Sequence, residues 1–257
     1  MTLSEQIPGA LASFSPVSLE EMGNVRLMDR TDTKYILSSV RIPHLLSNLN
    51  GDYRILEIGG KRAFSYHTTY LDTPDYLFFN QHVTGKLARH KVRFRKYETN
   101  GITFLEVKKK TNRNRTVKWR IADELAPDGT FSKAAGEFIG KHVPYKPLEL
   151  KTVLISTFTR MTFTGTGIPE RVTIDWDISY SESEGNVAGL PSIAVVEVKK
   201  ESFFERSRIT DILKASAVYP AGFSKYCMGN ALLNEQLRTN SLKPTILMIN
   251  KIQNEHH

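Results

Sequence analysis

Charge and apolar bulk alternate residue by residue through Arg93-Phe94-Arg95, Glu106-Val107-Lys108, Lys118-Trp119-Arg120, Arg171-Val172-Thr173-Ile174-Asp175 and Glu197-Val198-Lys199. A period of two is that of a β-strand with two unlike faces. A half-buried strand ordinarily shows water a scatter of polar groups. Here one face gathers Arg and Lys, with an occasional carboxylate, in segment after segment. Solvated outer faces of a basic sheet would explain any one segment, but five sharing the pattern point to a common surface. The expectation is a closed antiparallel barrel with a charged lumen and an apolar, covered outer wall.

Strand parity allows Arg30, Lys34, Arg93, Arg95, Lys108, Lys118, Arg120, Arg160, Arg171 and Lys199 to point inward together, accompanied by Asp32, Glu106, Asp175 and Glu197. Like charges a few ångströms apart repel by roughly 4 kcal/mol per pair at an effective dielectric near 20. Such a lumen calls for an anion inside it. The whole chain agrees: its net charge of +8 points to phosphate chains, nucleotides, nucleic acid or an acidic membrane surface. Arginine grips phosphate oxygens in pairs through its planar fork, while lysine supplies a mobile point charge. RNA is disfavoured, because the basic strands present no aromatic platforms for bases.

Glu197, two residues before Lys199 on the same face, is a candidate ligand for Mg²⁺ or Mn²⁺ held against phosphate oxygens, and Glu106 stands in the same relation to Lys108. The alternative for each is an ion pair inside the barrel. Ser224-Lys225-Tyr226 opens a helix after Gly222, where free backbone N–H groups suit a phosphate and Lys225 would otherwise oppose the helix dipole. An ordinary serine cap with an exposed lysine is the alternative there. Gly165-Thr166-Gly167 is a hairpin turn, since no Walker-type Gly-Lys-Ser/Thr follows it.

The single Cys227 excludes an internal disulfide and a cysteine-based zinc site, and the apolar run Ile246 to Ile249 is too short to cross a bilayer. A cytoplasmic protein is expected, at most peripheral to the inner face of a membrane. The 257 residues are expected to form one unit, 1–257. Along it, patterning predicts helices near 15–24, 38–49, 131–142, 207–217, 224–238 and 243–252, and one opening at Thr73-Pro74-Asp75 and stopping at Gly85. Tyr53 to Ile58 and Lys61 to Leu71 are expected to pair as a hairpin turned by Gly59-Gly60. Ser181 to Pro191 reads as a polar loop, and Ile193 to Lys200 as the last strand.

From about Arg26 to Ile252 the chain resembles the VTC domain, the polyphosphate polymerase branch of the triphosphate tunnel metalloenzymes, a CYTH-like superfamily. The resemblance rests on an ordered set: Arg30-Thr-Asp32-Thr-Lys34-Tyr35, Tyr70-Leu-Asp72-Thr-Pro74, Gly85, Lys91-Val-Arg93-Phe-Arg95, Leu105-Glu106-Val-Lys108, Arg160, Arg171-Val-Thr-Ile-Asp175, Val196-Glu197-Val-Lys199 and Ser224-Lys225-Tyr226. It implies an α+β fold, a closed antiparallel eight-stranded β tunnel surrounded by helices. It also implies a metal-dependent transfer of the γ-phosphate of ATP to a growing polyphosphate, with Mn²⁺ or Mg²⁺ as cofactor. Arg93, Arg95, Lys118, Arg120, Arg160, Arg171 and Lys199 then take catalytic positions. Arg30, Lys34, Lys108, Ser224 and Lys225 bind substrate, and Glu197 and Glu106 face the metal. Tunnel hydrolases and cyclases typically begin Glu-x-Glu-x-Lys, whereas Arg30-x-Asp32-x-Lys34 puts a cation at the first position, which favours the polymerase branch. A tunnel triphosphatase acting on triphosphate or nucleotides, and a non-catalytic polyphosphate-binding module, are the other classes. Regulatory and membrane segments fused to eukaryotic polymerases have no counterpart in the sequence, and a membrane partner exporting the product is a further expectation.

Overall fold

The computed structural model describes residues 3–24, 31–97, 101–113, 115–182, 185–201 and 206–255. Strands β1 (Pro16–Val17), β2 (Thr31–Ser38), β3 (Tyr53–Leu56), β4 (Phe64–Asp72), β5 (Arg89–Tyr97), β6 (Thr103–Lys110), β7 (Thr116–Ala122), β8 (Lys151–Gly165), β9 (Glu170–Ser181), β10 (Val187–Leu190) and β11 (Ile193–Lys200) form one sheet. Its helices are α1 (Leu3–Ala12), α2 (Leu19–Asn24), α3 (Ile42–Ser47), α4 (Leu77–Val83), α5 (Lys133–His142), α6 (Arg208–Ala215), α7 (Lys225–Leu233) and α8 (Lys243–Asn254). The fold is α+β, built on a large antiparallel sheet.

The main path runs β2-β11-β9-β8-β4-β5-β6-β7, with β10 added to β9, β3 to β8 and β1 to β3. Among the described residues eleven strands therefore stand where eight were expected, and the sheet they form does not close, since its hydrogen-bonded path ends at β2 and β7. The two free edges carry cations on their concave side, Lys34 on one and Lys118 and Arg120 on the other. These like charges oppose closer approach of the edges. The sheet is nevertheless strongly curled: Lys108 of β6 lies within the electrostatic reach of Glu197 of β11, and Lys91 of β5 within that of Lys34 of β2.

Parity sorts the outer wall as the sequence requires. Tyr35, Leu37, Val172, Ile174, Val196 and Val198 are buried with Ile7 and Leu11 of α1, Leu45 and Leu46 of α3, and Ile209 and Leu213 of α6. Farther round, Val92, Phe94, Leu105 and Val107 pack with Ala135 and Ile139 of α5. Between these two covers the β4/β8 wall is polar and partly open at Ser65, Thr157, Thr159 and Asp177, so the outer wall is not apolar throughout.

Two local expectations are corrected. β3 does not pair with β4; both lie along β8, which at 15 residues is long enough for Phe64 to face Arg160 and Ile55 to face Phe163 on one edge. The segment expected as a polar loop contains β10, which extends β9 from Ile178 to Ser181.

The concave face changes character along its length. Ile36, Val195, Ile193, Ile178, Tyr180 and Leu154 form an apolar floor on which α7 and α8 lie through Tyr226, Cys227, Met228 and Ile249. At Gly229 a Cβ would come within 2.5 Å of the Tyr180 ring and 2.7 Å of Leu154, so glycine alone permits α7 to lie this close. Helix α4 starts at Leu77, later than Thr73-Pro74-Asp75 suggests. Asp72, with no exposed surface, accepts hydrogen bonds from Thr73 N (2.8 Å), Phe78 N (2.8 Å), Phe79 N (2.9 Å) and the Tyr226 hydroxyl. One carboxylate thereby ties the starts of α4 and α7 together and sets where Ser224 and Lys225 enter the concave face.

Candidate functional site

Beyond the apolar floor the same face is charged, and its carboxylates are enclosed by cations. Glu197 Oε1 meets Lys199 at 2.5 Å and Lys34 at 3.3 Å, and Lys199 also reaches Asp32 at 3.0 Å. Arg160 grips Asp175 in bidentate fashion at 2.5 and 2.7 Å, and the Lys225 ammonium closes on the same carboxylate from the N-terminus of α7. Glu106, fully buried, binds Arg93 at 2.7 Å through one oxygen and Lys118 at 2.5 Å through the other. Burial works against the charge of each carboxyl, yet the surrounding cations prevail. Arg93, Arg95 and Lys118 hold Glu106 well below the usual carboxylate range, and Lys199 and Lys34 do the same for Glu197.

Arg95, Lys91 and Lys108 of this face have no carboxylate within ion-pair distance among the described residues. Arg95, 9% exposed, has the Thr68 hydroxyl at 3.4 Å and the Tyr66 ring beneath its guanidinium at 5.7 Å. Lys91 donates to Ser224 Oγ at 3.0 Å, and burial pushes its ammonium down to about 8. Lys108 is depressed further, to about 6, by the Arg93 charge first, then by burial, Lys118 and Arg95. Aromatic rings support several cations without neutralising them. Tyr66 and Phe158 stack at 5.2 Å, Arg160 lies 5.2 Å from both ring centres, and Lys225 lies 4.2 Å from that of Phe158.

The structure thus brings Lys34, Arg93, Arg95, Lys108, Lys118, Arg160, Glu106, Glu197, Lys199, Ser224 and Lys225 around one concavity. Arg120 shares the face but is exposed at its β7 edge, above the Phe104 ring at 4.8 Å. Arg171, opposite Lys199 in register, donates to the carbonyl of Met22 at 2.7 Å. Arg30 lies outside the described residues. Ser224 Oγ caps α7 through Cys227 N at 3.3 Å as well as accepting from Lys91. Lys91 was missed as a site residue, although the parity that selects Arg93 and Arg95 selects it too. Tyr66 and Phe158 carried no charge signal.

Glu106 has a cation within ion-pair distance of each oxygen, so a metal ion there would compete with Arg93 and Lys118. Glu197 fits better, because both lysines draw on the same oxygen. Among the described residues no group of three His, Cys, Asp or Glu gathers to hold an ion by itself. A divalent cation here would take most of its ligands from phosphate oxygens, as Mg²⁺ commonly does.

The ordered set of charged strands matches the VTC domain over residues 29–234. The chain belongs to the VTC domain family. No curated protein sequence matches it. Solved structures similar to this VTC chain include a putative adenylyl cyclase from Hippeastrum, described as revealing a dominant triphosphatase activity, at 13% identity and TM-score 0.49 over 79% of this chain and 96% of that one. A putative adenylate cyclase from Bacillus halodurans follows at 14% identity and 0.46, over 77% and 96%. One from Vibrio parahaemolyticus stands at 14% and 0.45, over 76% and 94%. No helix among the described residues of the VTC chain is long and apolar enough to cross a membrane.

Proposed function

We propose that this VTC chain is a metal-dependent polyphosphate polymerase that transfers the γ-phosphate of ATP to the end of an inorganic polyphosphate. The observation that carries the reading is the set of cations without carboxylate partners, Arg95, Lys91 and Lys108, placed beside the paired Arg93, Arg160, Lys199 and Lys225. An anion of high charge density among them relieves their mutual repulsion, and a chain of phosphates supplies one. A terminal oxygen of the polyphosphate attacks the γ-phosphorus, the bond from that phosphorus to the β–γ bridging oxygen breaks, and ADP leaves with the electron pair. The acceptor is its own nucleophile, so no covalent enzyme intermediate is needed.

The work left to the protein is alignment and charge neutralisation. Arg93, Arg95, Arg160 and Lys118 suit the equatorial oxygens and the chain, with Arg171 and Arg120 toward the rims. Lys34, Lys199, Ser224 and Lys225 suit the nucleotide's phosphates. Glu197 is the position proposed for Mn²⁺ or Mg²⁺, which when bound would neutralise charge on the transferring phosphates. The two cations on each carboxylate keep it ionised without a second acid, unlike a site built to activate water between carboxylates.

Incubation of the full chain with ATP and Mn²⁺, with products resolved by size, tests the reading. A ladder of polyphosphate with stoichiometric ADP is expected. Orthophosphate as the only phosphate product would make the protein a tunnel triphosphatase. Binding of polyphosphate that ignores divalent metal, with no turnover, would make it a binding module.

A further inference from the structure

Between Lys86 and Arg120 the chain carries thirteen Lys and Arg against two Glu, a net +11 in a chain whose total is +8. The entire positive surplus of the molecule therefore arises in 35 consecutive residues, and the remainder is net negative. Part of that surplus faces the concavity already described. The rest does not. On β5 and β6 the parity that orients Arg93 and Lys108 continues outward to Arg89 and Lys110, which are paired in register at one end of the two strands. Beyond them the β6–β7 turn presents Arg113 and Arg115, both exposed, and Lys86 precedes β5 on the surface. Among the described residues none of Lys86, Arg89, Lys110, Arg113 and Arg115 has a carboxylate within ion-pair distance.

Strand register makes these groups a continuation of the concavity: Lys91 stands opposite Lys108, and the next pair on the same face is Arg89 opposite Lys110. Burial first, and then the charges of Lys91, Arg89, Lys110 and Lys34 from β5, β6 and β2, push the His82 imidazole on α4 down to about 3. Lys91 and Lys34 belong to the concavity, and Arg89 and Lys110 to its mouth. The shared strand face, with Lys91 and Lys108 followed by Arg89 and Lys110, puts the interior and the mouth on one basic path. Cations spaced along a path outside a reaction centre suit a long, flexible polyanion and give little to a short one.

We propose that Lys110, Arg89, Arg113 and Arg115 form an exit track for inorganic polyphosphate, holding the part of the chain that has already left the concavity. The inference rests on the polyphosphate reading above. It adds a second, non-catalytic contact zone whose effect grows with chain length.

The test compares the parent with Lys110→Gln/Arg113→Gln/Arg115→Gln and with Arg113→Gln/Arg115→Gln, which changes only the exposed turn. Tripolyphosphate and a long-chain polyphosphate preparation are the probes, each titrated at several salt concentrations after melting curves establish that the variants are folded. The track predicts that long-chain affinity falls about tenfold in the triple variant while tripolyphosphate affinity stays within about twofold, with a shallower salt dependence for the long chain only. Equal loss for both probes, or no loss for either, overturns it. A parent that binds both probes with the same affinity also rejects the track and leaves the interior site standing. A parent that binds neither rejects the polyphosphate reading itself. If the triple variant loses binding to phosphatidylserine vesicles while keeping long-chain polyphosphate, the mouth faces a membrane surface and the track is wrong.

Discussion

Glu197 and Glu106 each sit two residues ahead of a lysine on a charged strand face, and sequence spacing treats them alike. Their surroundings separate them: Glu106 is sealed between Arg93 and Lys118, whereas the two lysines at Glu197 share a single oxygen. Glu197→Gln is expected to abolish Mn²⁺-dependent turnover while tripolyphosphate binding is kept or tightened, since one negative charge leaves the anion path and the shape remains. A purely structural ion pair predicts instead a protein less stable by up to about 3–5 kcal/mol, with its metal response intact in whatever stays folded. Melting and turnover measured on one sample decide. Lys108 gives the second residue-scale prediction. Its ammonium, with Arg93 as the first cause, is depressed to about 6, so above that pH the unfolded chain binds a proton that the folded chain does not. Stability of the anion-free protein therefore gains from Lys108 as pH rises from about 6 toward the ordinary lysine range. Lys108→Met should be more stable than the parent by about 1–3 kcal/mol at neutral pH, and its advantage should shrink toward alkaline pH. Its tripolyphosphate affinity should be lower. An advantage independent of pH would show that repulsion is not what Lys108 contributes. Arg93 is unsuited to the same experiment, because its removal takes away one of the two cations that hold buried Glu106.

At the scale of elements, strand parity was legible wherever one face is charged and the other packed, and the bounds of β11 were read without error. What escaped were elements fixed by tertiary contact. Helix α1 carries Pro8 in its interior, which patterning counts against a helix, yet Ile7 and Leu11 are buried against the outer wall. The 53–71 hairpin failed for a related reason: Gly59-Gly60 does make a turn, but β8 offers an edge long enough to take β3 and β4 end to end. Asp72 shows the same limit, since nothing in Tyr70-Leu-Asp72-Thr-Pro74 indicates a partner 154 residues away. Asp72→Ala should leave buried N–H groups of Thr73, Phe78 and Phe79 and the Tyr226 hydroxyl without their acceptor. The expected loss is about 3 kcal/mol or more in urea or thermal unfolding. Tripolyphosphate affinity should fall in the same variant under conditions where it is still folded, because Ser224 and Lys225 ride on the helix that Asp72 anchors. Unchanged affinity in folded Asp72→Ala would show that α7 holds its place by packing alone.

For the whole molecule, the charged concavity was readable because it is a repeated local pattern, while closure of the barrel was not, because closure depends on how two distant edges meet. β2 and β7 end the hydrogen-bonded path, and cations line the concave side of both. An anion seated between Lys34 and Lys199 on one side and Lys108 and Lys118 on the other would replace repulsion across that gap with attraction to a common partner. Binding should therefore stiffen the edges more than the middle. Tripolyphosphate at about 100 times its dissociation constant stabilises the fold by about 2.7 kcal/mol. Amide exchange of residues near the centre of the path, in β8 and β9, should slow only in proportion to that global gain. Amides of β2 and β7, which end the hydrogen-bonded path, should slow by more than their neighbours on β11 and β6. Exchange at β2 and β7 unchanged by saturating tripolyphosphate would mean that the anion does not span the gap, and that the open path is the resting form of the loaded protein as well.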